Sequence, residues 1–284
     1  LLKNKYHIPK IFLFSYNLIK LVCSSLHKQR LFIMKKVWII GSSSGIGFEL
    51  VKLWLQNNYL VIASSRDAVN SCELLKLKSI YTEQLELLNI DVLDNKSVIE
   101  SVNKVFNIFN DLDICFFNAG VYESMKIEQW NISNFESMIN TNYLGAVRIL
   151  KPLVGYLEKQ KKESRVILNA SLSSYFGLPY GGAYSASKAA LVNLAQSIQP
   201  ELSKKNINVQ IINHGFVKTR LTSKNDFDMP QLISPDIAAK KIFEQVNKPY
   251  RFEIAFPFIL SNFLRLISLL PYKLSFSITK KFLK

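Results

Sequence analysis

Tyr184 and Lys188 stand four residues apart in YSASK, and Ser171 precedes the tyrosine by thirteen residues. On a helix, residues i and i+4 share a face, so the phenol and the ammonium belong together. A phenol with a pKa of about 10 is a poor acid–base catalyst at neutral pH. A nearby ammonium favours phenolate, so Lys188 is expected to make Tyr184 more acidic. Ser171 closes an apolar run, RVILNA, that reads as a strand. A strand-end serine and a helix-start tyrosine can meet at the carboxyl ends of the strands, where open α/β sheets bind ligands. Together they suit proton transfer at a substrate oxygen: Ser171 would hold the oxygen, Tyr184 would give or take the proton, and Lys188 would tune Tyr184.

GSSSGIG, residues 41–47, has two readings. As G-x-S-x-G it is the nucleophile elbow of a serine hydrolase, with Ser43 as nucleophile. As G-x-x-x-G-x-G it is a turn that seats a nucleotide phosphate on a helix. Position favours the second. The glycines follow the first apolar run, VWII, and open the first helical pattern, where a phosphate meets free backbone N–H groups and the positive helix end. A hydrolase elbow also needs a later acid and histidine, and His214 alone is available downstream. Gly41, Ser43, Ser44, Gly45, Ile46 and Gly47 are therefore the candidate diphosphate cradle.

Other positions agree with a dinucleotide. Arg66 ends the second strand about twenty residues beyond the glycines, where an arginine suits a 2′-phosphate and an acid suits the ribose hydroxyl. Asp67 follows it, so NADP is the expected cofactor and NAD the alternative. Asp91, after the third strand, is placed to accept from the adenine amino group; an Asx turn is the competing use. Asn118, Ala119 and Gly120 end the fourth strand, where small residues let backbone approach a ribose. Tyr184 and Lys188 would also touch the nicotinamide ribose, and hydride would pass between nicotinamide and the substrate carbon.

These residues need a frame. Short apolar runs at 37–40, 60–64, 85–90, 113–117, 165–170, 209–213 and 251–256 alternate with helical patterns. The helical segments are 46–56, about ten residues from Asp67, 96–109, 135–159, 184–202 and one opened by Pro235. Strand–helix alternation implies a parallel sheet covered on both faces, a doubly wound Rossmann-type α/β fold in a single domain over 34–256.

In these motifs the chain resembles the short-chain dehydrogenase/reductase family over about residues 35–256. GSSSGIG, the NAG of 118–120, Asn142 in NTNYLG, Ser171 and YSASK recur in order at compatible spacings. The resemblance implies an NAD(P)-dependent oxidoreductase for a carbonyl/alcohol pair, with Asn142 completing a catalytic tetrad by holding a water that links Lys188 to solvent. It implies a homodimer or homotetramer through the helices after strands four and five. It also assigns Thr219 to the nicotinamide carboxamide. Three positions depart from the family pattern: Ile40 stands for a threonine, Phe117 for an asparagine, and His214 for the proline of a Pro-Gly pair. His214 is expected on a partly exposed loop. The rival reading is a dinucleotide-binding sensor or scaffold that keeps the fold without catalysis. Residues 220–233 are expected to form a lid over the substrate.

Composition sets the surroundings. The 284 residues carry 36 Lys/Arg against 21 Asp/Glu, a net charge of +15, yet residues 1–33 and 257–284 hold eleven of the bases and no acid. A basic excess that sits mainly at the two ends argues against a nucleic-acid partner, whose cations should line a folded face. Scattered Cys23, Cys72 and Cys115 offer neither a disulfide framework nor a metal cluster, which points to a reducing, cytoplasmic compartment. The first methionine is Met34, and residues 1–33 read as an extension outside the fold. In residues 257–284, Ser261, Asn262, Arg265 and Ser268 recur at helical spacing against Phe, Ile and Leu, which reads as a basic amphipathic helix ended by Pro271. It either packs on the body or a second subunit, or lies as a foot on a membrane surface.

Overall fold

The apolar runs become strands because both faces of each are covered. In the computed structural model, which describes residues 34–283, seven strands form one parallel sheet in the order β3-β2-β1-β4-β5-β6-β7. They are β1 Lys36–Ile40, β2 Leu60–Ser65, β3 Leu85–Asn89, β4 Ile114–Phe117, β5 Ser164–Asn169, β6 Ile207–His214 and β7 Glu253–Phe256. Lys36–Lys284 is one compact unit. The reading of residues 1–33 as an extension lies outside the described residues.

Strand alternation divides the core. Trp38 and Ile40 of β1 face a layer built with Val102, Phe106, Ile149, Leu153 and Leu191. These come from α3 (Asn95–Phe109), α5 (Gly145–Lys159) and α6 (Gly182–Ser203). Val37 and Ile39 face the other layer, where Leu50, Trp54 and Ile242 belong to α1 (Gly45–Gln56) and α7 (Pro235–Val246). A sheet buried on both faces makes near-continuous apolar strands, which is why the runs were readable. The sheet reverses its winding between β1 and β4, and this switch point opens the crevice at the strands' carboxyl ends.

Two helical readings need correction. The helix expected from Asp67 begins only at Cys72, as α2 (Cys72–Ile80). Asp67–Asn70 forms a turn, and the side-chain Oδ1 of Asn89 accepts from the Val69 backbone N–H at 3.0 Å. The helix expected over 135–159 is α4 (Ile132–Met138), a π-helical segment Ile139–Leu144, then α5. The wider turn places Asn142 inward, and the Arg148 guanidinium donates to the Asn140 carbonyl at 3.1 Å, giving that carbonyl a partner.

Beyond β7 the tail forms α8 (Phe258–Leu269) and α9 (Tyr272–Thr279), separated at Pro271 as expected. Leu264 and Ile267 pack on Leu172 of the body. Arg265, of the polar stripe, turns to the body. Its Nη2 donates to Glu253 Oε2 at 2.6 Å and its guanidinium lies 5.2 Å from the centre of the Tyr175 ring.

Candidate active site

The glycine turn is held before any ligand arrives. The backbone N–H groups of Gly41 and Ser42 both donate to the Ser64 carbonyl, at 2.7 and 3.0 Å. Gly41 has φ +91°, and a Cβ there would sit 2.6 Å from the backbone N of Ala119. At Gly47 a Cβ would lie 2.1 Å from the Gly41 carbonyl oxygen. Ser44 precedes α1 without a side-chain cap, so the helix's first-turn N–H groups keep no protein acceptor from that residue. Ile46 is buried in the core under the turn, while Ser43 and Gly45 line it half-exposed. This bare-backbone cradle at a helix N-terminus fits a dinucleotide diphosphate.

One amide ties the cradle to the rest of the site. Asn118 Nδ2 donates to the Gly41 carbonyl at 2.7 Å, and Asn118 Oδ1 accepts from Asn169 Nδ2 at 2.7 Å. Ala119 and Gly120 follow as the half-exposed floor. At the far end of β2, Arg66 is exposed and makes no hydrogen bond or ion pair among the described residues. Asp91 takes part in an Asx turn: its Oδ1 accepts from Leu93 N–H at 2.9 Å.

The residues singled out for proton transfer come together at the ends of β5 and the start of α6. Ser171 follows β5 and caps a short 3-10 turn, accepting from Ser173 N–H at 3.2 Å and lying 3.1 Å from the Ser173 hydroxyl. Its hydroxyl also neighbours the phenol of Tyr184 and draws that phenol's pKa down. Lys188, buried one turn along α6, donates to the Asn169 carbonyl at 2.7 Å and lies 5.7 Å from the centre of the Tyr184 ring. Asn142 is fully buried: Oδ1 accepts from Val121 N–H at 2.8 Å, while Nδ2 donates to the Val121 carbonyl at 3.0 Å and to Ser187 Oγ at 2.9 Å. A Cβ at Gly120 would be 3.3 Å from Asn142 Oδ1 and 3.7 Å from Lys188 Nζ, so Asn142 and Lys188 flank one point. The Asn142 amide is committed to the Val121 backbone and the Ser187 hydroxyl, which makes it a brace between the π-helical segment, the β4 end and α6.

The electrostatics run against one expectation. Lys188 was expected to acidify Tyr184, but burial pushes the phenol up to about 12, against a smaller lowering by the Ser171 hydrogen bond. Burial also pushes Lys188 down to about 8. Loss of hydration is the largest influence on both charged forms.

The lid and the His214 loop complete the crevice. Val217 and Ile233 form a parallel bridge, pinning both ends of segment 218–232. The Tyr122 hydroxyl donates to Asn225 Oδ1 at 2.9 Å, and its ring packs edge-on against Tyr184 with centroids 4.8 Å apart. Phe227 meets Tyr180 and Phe216. Thr219 abuts the glycine turn, its Cγ2 3.2 Å from a Cβ built on Gly45. Its neighbour Arg220 donates to the Ser44 hydroxyl at 2.9 Å, a latch that no motif signalled. His214 ends β6 half-buried, not on an open loop; its Nδ1 lies 2.7 Å from the Gly215 carbonyl, and burial lowers its pKa to about 4. The ring is thus neutral with Nδ1 donating, and no hydrogen bond joins it to Ser43. The hydrolase reading has no nucleophile–base pair.

Comparison with known proteins converges. The family model described as short chain dehydrogenase matches residues 35–229. An uncharacterized oxidoreductase of Schizosaccharomyces pombe is 33% identical over 194 residues, covering 66% of this chain and 63% of that protein. The chain thus spans under two-thirds of that relative's length. A 3-oxoacyl-acyl-carrier-protein reductase of Thermotoga maritima is 27% identical over 186 residues, covering 66% of this chain and 75% of its own. A short chain dehydrogenase of Burkholderia cenocepacia, solved in complex with NADP, superposes with a TM-score of 0.75 at 16% identity, covering 87% and 98% of the two chains.

Proposed function

The chain belongs to the short chain dehydrogenase family, and from that premise we propose that it is an NADPH-preferring oxidoreductase interconverting a carbonyl and an alcohol. One observation carries the reading: Ser171, Tyr184 and Lys188 converge beside a glycine cradle at the carboxyl ends of the strands. The NADP bound to the Burkholderia cenocepacia structure supports the cofactor. Against it stands NAD, which is bound to a second neighbour from Burkholderia phymatum at a TM-score of 0.74 and 17% identity. Arg66, exposed and without an ion pair among the described residues, favours the extra phosphate of NADP.

A bound nicotinamide dinucleotide supplies the hydride. The chain's own residues do the rest. The cradle of 41–47 and Asn118 fix the diphosphate end. Ser171 holds the substrate oxygen by a hydrogen bond. The Tyr184 phenol, kept protonated by burial, donates a proton to that oxygen during reduction and removes it in the reverse direction. Lys188 positions the dinucleotide ribose and anchors the end of β5. Tyr122, Phe216 and Phe227 give the substrate side apolar aromatic walls, which suit an apolar carbonyl compound.

Fluorescence titration with NADPH and NADH, followed by a carbonyl screen with the tighter binder, tests the reading. NADPH is expected to bind more tightly; tighter NADH binding overturns the role of Arg66. Arg66→Ala is expected to weaken NADPH about tenfold or more and to leave NADH unchanged, since a charge-assisted hydrogen bond contributes roughly 1.5–3 kcal/mol.

The pH profile has a stated sign. The Lys188 ammonium is present below its folded pKa of about 8 and lost above it. The Tyr184 phenol stays protonated to about 12. The kcat/KM for NADPH reports groups of the free enzyme, so it should be level below pH about 8 and fall above it. A profile level to pH 10 rules out a role for the Lys188 charge in binding NADPH.

A further inference from the structure

We propose that the outer face of the carboxyl-terminal helices α8 and α9 docks on an anionic lipid surface. Two residues of the polar stripe, Ser261 and Arg265, turn to the body, while Asn262 and Ser268 stay exposed. Ser261 is buried with its hydroxyl on the Phe258 carbonyl at 2.9 Å, and Arg265 is spent on Glu253. Leu264 and Ile267 fill the contact with Leu172. Phe258, Ile259, Phe263, Leu266 and Leu269 are exposed on the other side of α8, with Asn262 among them, and the ring of Phe282 lies 6.3 Å from that of Phe263. Those α8 positions recur at the spacing of one helical face. A mostly apolar exposed face of this kind, on a basic segment, marks an interaction surface.

Charge selects the occupant. Residues 257–284 contain five Lys/Arg and no Asp/Glu, and Lys273, Lys280 and Lys281 are exposed beside the apolar side chains. A second copy meeting the first on a twofold axis would set these cations against themselves. Anionic headgroups complement them, at about fivefold in affinity per basic side chain near the surface. No helix among the described residues is long and apolar enough to cross a membrane, so the pair would lie in the interface plane.

The foot adjoins the crevice. A Cβ on Gly215, next to His214, would lie 2.9 Å from Pro257 and 3.2 Å from Leu260, and Leu172 is one residue from Ser171. A surface under α8 would therefore bring a lipid-dissolved carbonyl close to the substrate side of the site. Docking itself does not depend on the oxidoreductase reading.

Co-sedimentation of the full chain with phosphatidylcholine vesicles, with and without phosphatidylserine, tests the proposal. Binding is expected only with phosphatidylserine and should weaken with salt. Ile259 and Leu269 are 70% and 82% exposed, so the pair Ile259→Glu/Leu269→Glu should keep the melting temperature. It should lose about tenfold or more in vesicle affinity, and Lys280→Glu/Lys281→Glu should do likewise. Absence of binding, or equal binding by the variants, overturns the proposal. So does a vesicle-free dimer that dissociates in the apolar pair, which would assign the face to a second copy. A lowered melting temperature in that pair would also overturn it, because the face would then be covered by the protein itself. Turnover of a water-soluble carbonyl should be unchanged in both pairs; failure of turnover in all proteins would count against the oxidoreductase reading and leave the vesicle result standing.

Discussion

Tyr184→Phe is expected to lower carbonyl reduction by about 10²–10⁴-fold, the usual contribution of a positioned general acid. The substitution removes one oxygen from a half-buried ring and keeps its volume. The edge-on packing against Tyr122 and the face shared with Lys188 remain. Dinucleotide affinity should stay within about twofold, because the phenol acts on the substrate oxygen, and kcat and kcat/KM should fall together. Steady-state turnover read beside an NADPH fluorescence titration checks both halves. Equal turnover in Tyr184→Phe, with dinucleotide binding intact, would favour the sensor or scaffold reading. The burial that raises this phenol strengthens the case for a proton donor in reduction, since the group arrives charged with its proton at any physiological pH. It also means that alcohol oxidation requires a source of phenolate stabilisation beyond Lys188. The positive charge of an oxidised nicotinamide has the right sign for that.

The second large effect is expected at Gly47→Ala. The added methyl would meet the Gly41 carbonyl oxygen at 2.1 Å and Asn118 Nδ2 at 2.7 Å. Both are fixed groups: Gly41 is tied to Ser64 and the Asn118 amide to Asn169. Relief requires the cradle to open, breaking the Asn118–Gly41 hydrogen bond. Overpacking of this kind costs roughly 1–3 kcal/mol. NADPH affinity should fall by about tenfold or more and the melting temperature should drop by several degrees. A calorimetric scan with and without NADPH separates the two losses. A variant that binds NADPH as tightly as the parent would show that the turn does not hold the diphosphate.

The strands were legible because a parallel sheet covered on both sides leaves little room for polar residues, so VWII and ICFF are apolar throughout. The cradle and the YSASK helix were legible because their chemistry is local: glycine spacing in one case, an i, i+4 pair in the other. What escaped the sequence depends on contacts distant in the chain. The π-helical segment around Asn142 has no signature of its own, since its bonds go to Val121 and Ser187, 21 and 45 residues away. The start of α2 was misplaced because Asn89 captures the Val69 N–H across twenty residues. The ion pair of Arg265 was not readable because its partner, Glu253, lies twelve residues back on the edge strand β7. The Tyr184–Lys188 pair was read from charge alone, whereas the depth of the crevice, a property of the packed fold, sets the sign of both shifts.

The bridge between Val217 and Ile233 has an engineering consequence. Because the two ends of the intervening loop are fastened to each other, by the bridge and by Lys218 N–H on the Ile233 carbonyl at 2.8 Å, the loop behaves as a cassette. Its length and composition can drift without disturbing β6 or α7, since doubling a closed loop costs only about 0.6 kcal/mol. New selectivity can therefore be grafted onto this scaffold by exchanging residues 226–230 of that cassette, keeping Thr219 and Arg220 against the nucleotide half of the crevice.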